Sequence, residues 1–247
     1  MKIWFFAIML ATALFGGEKV YATFDVVASK NATLSLEVSG IIKKVYVDVG
    51  SYVNKGDILA EIDNATQSND LTLAIRDEKI AQINFERAKA NYARYEKVKG
   101  VIDEFRLDGF RFDMLSAEAN YEKAKATVEA KKTNLQKTYL KAPFSGIIAN
   151  KHIEVGDGIN SMTLTPAFEI ISAGSQKLVL SFDEKYHKIV KAGNIFTFNV
   201  DGHTKQLIGK ISKVYPQVDP KTRMAKAEVI VSKIKTGLFG DGYIETK

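Results

Sequence analysis

His152, His187 and His203 are the only imidazoles in the 247-residue chain, and cysteine is absent. A zinc site of the catalytic kind needs three protein ligands and an open fourth position, usually written in sequence as closely spaced histidines. No HxH or HExxH spacing occurs here. The absence of cysteine removes a thiol nucleophile, cysteine-ligated metals, a disulfide framework and a lipid-bearing cysteine. The five methionines include the initiator, too few with three histidines for a His/Met metal-chaperoning cluster. Asp183 and Glu184 open a short helical stretch, where carboxylates suit the N-cap and the helix dipole. Asp219, Pro220 and Thr222 in "QVDPKTR" read as a turn. No phosphate loop or activated nucleophile is written anywhere, so the expectation is no enzyme, no cofactor and no bound metal. The chain should work by binding and shape.

What could be positioned for binding is announced by a repeat. "SGIIKKVYVDVG" at 39–50 returns as "SGIIANKHIEVG" at 145–156, an offset of 106 residues that matches Gly40 with Gly146 and Gly50 with Gly156. Each copy reads as strand, turn and strand, and the four glycines are expected at positions of positive φ or close backbone approach. Each copy alone leaves an apolar face uncovered, so the two must pair as halves of one flattened β-sandwich.

Between the copies the apolar period lengthens from 2 to about 3.5. Leu71, Ala74, Glu78, Ala81, Phe85, Ala88, Tyr92 and Tyr95 follow steps of three and four, and Met114, Tyr121, Val128 and Leu135 recur with Ala117 and Ala124 between them. These are two heptad seams. Two long helices are expected, from about Thr66 to Lys99 and from Phe110 to Leu140, joined through Gly100 to Gly109 as an antiparallel coiled-coil hairpin. Mounted on the sandwich, such a hairpin is suited to reach a distant partner.

The first residues differ from the rest. Met1 and Lys2 precede the apolar run Ile3 to Phe15, too short to cross a bilayer core of roughly 20 residues, and the pattern is that of a secretory leader. We expect a cut after Ala22, with Gly17 as the alternative, and an exported chain. The net charge of +6 is carried by lysines and arginines scattered among acids rather than concentrated in a stripe. Nucleic-acid binding is therefore not expected.

Three stretches resemble the membrane fusion proteins, the periplasmic adaptors of tripartite efflux and secretion systems. "SGIIKKVYVDVGSYVNKGDILAEID" looks like the leading half of that family's lipoyl-like domain. "TYLKAPFSGIIANKHIEVGDGI", at 138–159, looks like its second half. The segment from "LVLSFDEKYHKIVKAG" to "GLFGDGYIETK" resembles the adaptor β-barrel with a short helix at Glu184 to Lys191. The resemblance implies a mixed α+β fold, a lipoyl-like β-sandwich interrupted by a long hairpin and followed by a small β-barrel. The implied divisions are 1–22 signal peptide, 23–38 N-terminal strand region joining barrel and lipoyl-like domain, 39–63 first half, 64–140 hairpin, 141–172 second half and 173–247 barrel.

It also implies function: a periplasmic adaptor bridging an inner-membrane transporter, of the resistance-nodulation-division type or alternatively an ABC-type exporter, and an outer-membrane channel protein. Self-association into a homo-oligomeric ring, a hexamer, goes with that role. At the hairpin tip the family often shows Arg, then Leu, then Ser. Arg94 fits, Val98 stands for Leu, and Phe105 or Phe110 falls where Ser belongs, so these four residues are the expected channel-docking set. The same Phe side chains could instead cap the coiled coil. The sandwich also resembles lipoyl and biotinyl carriers, but the join after "AEID" opens into a helix instead of presenting a lysine on a turn. "HIEVGDGI" resembles lysostaphin-type zinc endopeptidases only faintly, without their ligand spacing.

Overall fold

The computed structural model describes residues 18–98, 100, 103–163, 165–201 and 205–246. Most of the expected signal peptide, and His203, lie outside the described residues. In chain order the first elements are β1 (Lys19–Ala28), β2 (Asn31–Leu34), β3 (Gly40–Val45), β4 (Tyr52–Val53), β5 (Ile58–Ile62), α1 (Ala65–Glu96) and α2 (Glu104–Gln136). There follow β6 (Tyr139–Lys141), β7 (Gly146–Lys151), β8 (Gly158–Ile159), β9 (Phe168–Ser172), β10 (Gln176–Asp183), β11 (Ile195–Val200), β12 (Leu207–Val214), β13 (Met224–Val231) and β14 (Phe239–Glu245). The fold is mixed α+β. It divides into two units: Ala32–Ile170, holding sandwich and hairpin, and the flanking residues up to Asn31 and from Ile171, holding the barrel. No helix among the described residues is long and apolar enough to cross a membrane.

The sandwich consists of two four-stranded sheets, β2-β9-β7-β4 and β6-β5-β3-β8. Its two halves interlock. Strand β4 of the first half pairs with β7 of the second, Tyr52 opposite Ile147 and Val53 opposite Gly146. Strand β8 pairs with β3 in the same register, Gly40 opposite Ile159 and Ile41 opposite Gly158. Each pairing becomes the other on applying the 106-residue offset. Turns and strand joins obey the same symmetry. Gly50 N donates to Ile148 O at 2.8 Å, and Gly156 N to Ile42 O at 2.9 Å. Ile42 and Ile148 are fully buried between the sheets with Leu59, Ile62, Phe168 and Ile170. Burial of each such side chain stabilises by about 1.5–3 kcal/mol, so neither half is competitive alone.

The glycines divide by role. Gly50 and Gly156 have φ of 84° and 98°, the left-handed region where a Cβ is costly. Gly40 and Gly146, expected in the same class, instead begin strands β3 and β7. At Gly40 the demand is close approach, since a Cβ there would strike the Ile62 side chain.

Both ends of the second helix move. Tyr139, Leu140 and Lys141 form β6 and pair with β5, so the second helix ends at Gln136 rather than Leu140. That helix begins at Glu104, not Phe110, and carries Gly109 inside it. An exposed helical glycine costs about 1 kcal/mol, a cost that the half-buried Leu107 and Phe110 on the adjoining turns offset by packing. The boundary drawn after Ala22 falls inside β1.

The barrel is closed, in the order β1-β10-β13-β12-β11-β14. Its interior is built by period-2 alternation: Val20, Ala22, Phe24 and Val26 from β1 meet Leu178, Leu180 and Phe182 from β10 and Phe196, Phe198 and Val200 from β11. Phe24 stands edge-on to Phe196 and Phe198, with centroids 5.8 and 5.3 Å apart. Gly240 and Gly242 make room, because a Cβ at either would strike the β11 backbone. Only Glu184–Tyr186 is helical in the stretch expected as a helix to Lys191, a single 3₁₀ turn. Its start is capped as expected, Asp183 accepting from Lys185 N at 3.0 Å. Asp219 likewise accepts from the Lys221 and Thr222 amides, and these bonds, Lys221 first, hold its carboxyl below the usual range.

Candidate functional site

The hairpin grows from a defined base. Ile62 N donates to Thr138 O at 3.0 Å, tying the last strand before α1 to the first residues after α2. The buried Thr138 hydroxyl donates to Leu135 O at 2.6 Å, and Asn64 Nδ2 reaches the same hydroxyl at 3.3 Å. Lys131 and Asp70 bridge the two helices at 2.6 Å. Beyond this base the hairpin has almost no interior. Ala74 alone is buried on α1, and nothing is buried on α2.

The expected seam positions are nevertheless the least exposed along each helix, from Leu71 to Tyr95 and from Met114 to Leu135. Aromatic contacts hold the distal part. Phe85 stacks on Tyr121 at 6.1 Å between centroids, each ring also lying beneath a lysine, Lys89 and Lys125 respectively. Tyr95 stacks on Phe110 at 4.0 Å and 6° between planes. Beside the small seam residues Ala81 and Ala117 one face is indented by an open groove of about 480 Å³, with Asp77, Ile80, Asn84 and Asp113 on its walls.

Of the expected docking residues, Arg94 is exposed in the last turn of α1, and Val98 stands 49% exposed just beyond it. Phe105 is 84% exposed on the first turn of α2. Phe110 faces inward onto Tyr95 and separates from the set. Phe112, 67% exposed, was not singled out from sequence. The available signal was phase: stepping back four from Met114 along the seam reaches Phe110, which puts Phe112 outside.

His152 lies 3.5 Å from Glu169 in the sandwich, while His187 in the barrel unit contacts Tyr215 O at 2.9 Å. Among the described residues no group of three or more His, Asp or Glu side chains could hold a metal ion. A half-buried ionic cluster belongs to the barrel, where Glu228 accepts from Lys177 Nζ at 2.7 Å and from the Tyr215 hydroxyl. Burial pushes the Glu228 carboxyl up, but the Lys177 and Tyr215 hydrogen bonds outweigh it and leave the group below its ordinary range. The same carboxylate holds Lys177 and Tyr215 above theirs.

A sandwich closed by two symmetric half-modules, with a hairpin inserted at their join, is the arrangement that a family model recognises. Residues 30–165, more than half of the chain, match the CzcB-like barrel-sandwich hybrid domain. The chain belongs to the membrane fusion, or periplasmic adaptor, proteins. The adaptor is 28% identical over 161 residues to the multidrug resistance protein MdtA of Yersinia enterocolitica, a match covering 64% of this chain and 36% of that relative. It thus aligns with about a third of the length of such relatives. The structure of MacA from Actinobacillus actinomycetemcomitans superposes with a TM-score of 0.76 at 25% identity, covering 94% of this chain and 79% of that one. A MacA-MexA chimera carrying the Pseudomonas aeruginosa MexA α-hairpin gives 0.72 at 25% identity, with 94% and 83% covered. The membrane fusion protein Spr0693 of Streptococcus pneumoniae shares the adaptor's fold, with a TM-score of 0.73 at 15% identity over 92% of this chain and 99% of that one.

Proposed function

We propose that this chain is the adaptor subunit of a tripartite efflux system in the periplasm, coupling an inner-membrane transporter to an outer-membrane channel through a ring of its own copies. The observation that carries the reading is a hairpin of 32- and 33-residue helices that carry large apolar side chains outward as well as along their shared seam. Leu73, Ile80, Ile83, Phe105 and Phe112 are each more than half exposed. Exposed apolar side chains of this kind mark an interaction surface, and those outside the seam add nothing to the hairpin's own packing.

Within this reading Arg94, Val98, Phe105 and Phe112 form the channel contact, and Phe110 supports them from behind by its stack on Tyr95. The sandwich supplies a stiff mount, and the work is done by shape and binding rather than by catalysis. Affinity purification of the tagged chain from detergent-solubilised envelopes tests the proposal. An outer-membrane channel and an inner-membrane transporter should co-purify, and the transporter recovered, a many-span pump or one with an ATP-binding subunit, reads out its class. Recovery of the chain with neither would sink the adaptor reading.

A further inference from the structure

The hairpin has two unlike faces. One carries the open groove, whose walls place Asp77, Ile80, Asn84, Asp113 and Asn120 on the same side of the seam. Arg87 reaches Asn84 Oδ1 at 3.3 Å, and Lys123 lies one heptad beyond Ser116 of the groove, so both belong to this face. Asp77 and Asp113 make no hydrogen bond or ion pair among the described residues. Leu73 and Ile80, one heptad apart and each 59% exposed, add apolar surface beside them.

The opposite face is closed over by its own side chains. Lys89 lies above Phe85 and Lys125 above Tyr121, covering the seam rings, and Lys125 pairs with Glu122 at 3.1 Å. Lys79 donates to Gln82 Oε1 at 3.0 Å, and Gln82 in turn to Glu86 Oε1 at 2.9 Å. Arg111, two heptads before Lys125, keeps the same helical phase.

The charges on the two faces are complementary at equal heights. Asp77, Arg87, Asp113 and Lys123 on the grooved face are matched on the covered face by Lys79, Glu86, Arg111 and Glu122, each opposite in sign and within two residues. With a rise of about 1.5 Å per residue, the members of each pair differ in height by about 3 Å at most. A second hairpin laid parallel and level, covered face onto grooved face, would set each of these charges against its opposite. Two grooved faces laid level would instead set Asp77 against Asp77 and Arg87 against Arg87. Exposed ion pairs contribute only about 0–1 kcal/mol each, so the ladder selects face and register, while the groove, Leu73 and Ile80 supply the surface to be buried.

We propose that the groove is occupied by a second copy of this chain, the grooved face of each hairpin stacking on the covered face of the next with the two hairpins parallel and level. A contact between two different faces passes from copy to copy and closes into a ring instead of ending at a dimer. The inference rests on the ring in the adaptor reading and adds which faces meet, and at what height.

The absence of cysteine allows a direct test. Asn84→Cys on the grooved face and Gln82→Cys on the covered face, which leave the charge ladder intact, are introduced singly and together into the full-length chain in its native cells. Envelopes are then treated with a short thiol-specific cross-linker. The double variant should give a ladder of dimers, trimers and longer species, and each single variant should remain monomeric. Adding Arg87→Glu to the double variant should reduce the ladder about threefold or more, and further adding Glu86→Arg should restore it, with helical content unchanged. Dimers from either single variant, no ladder from the double variant, or no rescue by Glu86→Arg would overturn the proposal. If a transporter and a channel still co-purify from those envelopes, this inference alone falls; if neither does, the adaptor reading falls with it.

Discussion

The barrel and the hairpin spend their apolar residues in opposite ways. In the barrel Val20, Phe24 and Val26 of β1, Leu178, Leu180 and Phe182 of β10 and Phe196, Phe198 and Val200 of β11 alternate into a closed interior, and Phe182, Phe196 and Leu180 are fully shielded. In the hairpin the seam is narrow, one alanine is buried, and isoleucines and phenylalanines face outward. A barrel side chain thus contributes to the stability of its own fold, whereas an outward hairpin side chain contributes only when something covers it. The difference separates what the chain needs in order to fold from what it needs in order to assemble.

The largest effect should come from emptying the barrel. Phe182→Ala removes a fully buried ring and is expected to cost about 3–5 kcal/mol, read as a lowered denaturation midpoint. A loss below about 1 kcal/mol would mean that this interior is not close-packed. Next comes the hairpin seam. Phe85→Asp breaks the stack on Tyr121 and sets a carboxylate against it, at an expected cost of about 1–3 kcal/mol confined to the helical signal. If the barrel melted with it, the contrast between the two regions would fail.

A smaller effect is expected at Glu228, where Glu228→Gln should remove about 1–2 kcal/mol of barrel stability by leaving Lys177 without its carboxylate. The sign with pH follows from the depressed carboxyl. A group whose folded pKa is lowered contributes stability above its unfolded pKa and loses it as the pH falls through the folded value, so the wild type should weaken on acidification below the ordinary Glu range. Lys177 and Tyr215, both raised, contribute below their unfolded values and lose that contribution as alkaline pH passes their folded ones. Glu228→Gln should flatten the acid limb; an unchanged acid limb would show that the cluster is not the source. The smallest effect on folding belongs to Phe105→Asp, within about 0.5 kcal/mol of wild type because the ring touches little. A large loss of stability there would make Phe105 a structural cap.

Much of this contrast was legible in the sequence. The 106-residue repeat predicted a paired sandwich, and the steps of three and four picked out the seam residues that the structure leaves half-buried. What escaped was decided by partners distant in the chain. Val20, Ala22, Phe24 and Val26 alternate visibly, yet a small-residue pattern at Val20 and Ala22 also reads as a leader's end, and the partner that makes the stretch a barrel strand, β14, lies more than two hundred residues on. Gly40 resembles a turn glycine until Ile62 is seen against it. Gly109 reads as a helix stop, but the stack of Phe110 on Tyr95 draws the helix through it. The Lys177–Glu228–Tyr215 cluster joins β10, β13 and the residue just after β12, and has no local signature at all.

The claim that the outward hairpin surface is there for a partner is tested most directly by site-specific photo-cross-linking in living cells. A photoreactive phenylalanine analogue would replace Phe105 or Phe112 at the hairpin tip, with Ile208, a 74% exposed barrel residue, as the control position. The account predicts adducts with an outer-membrane channel protein from both tip positions and none from Ile208. Absence of channel adducts at the tip, with the variants folded and exported, or equal yields at tip and barrel, would contradict it.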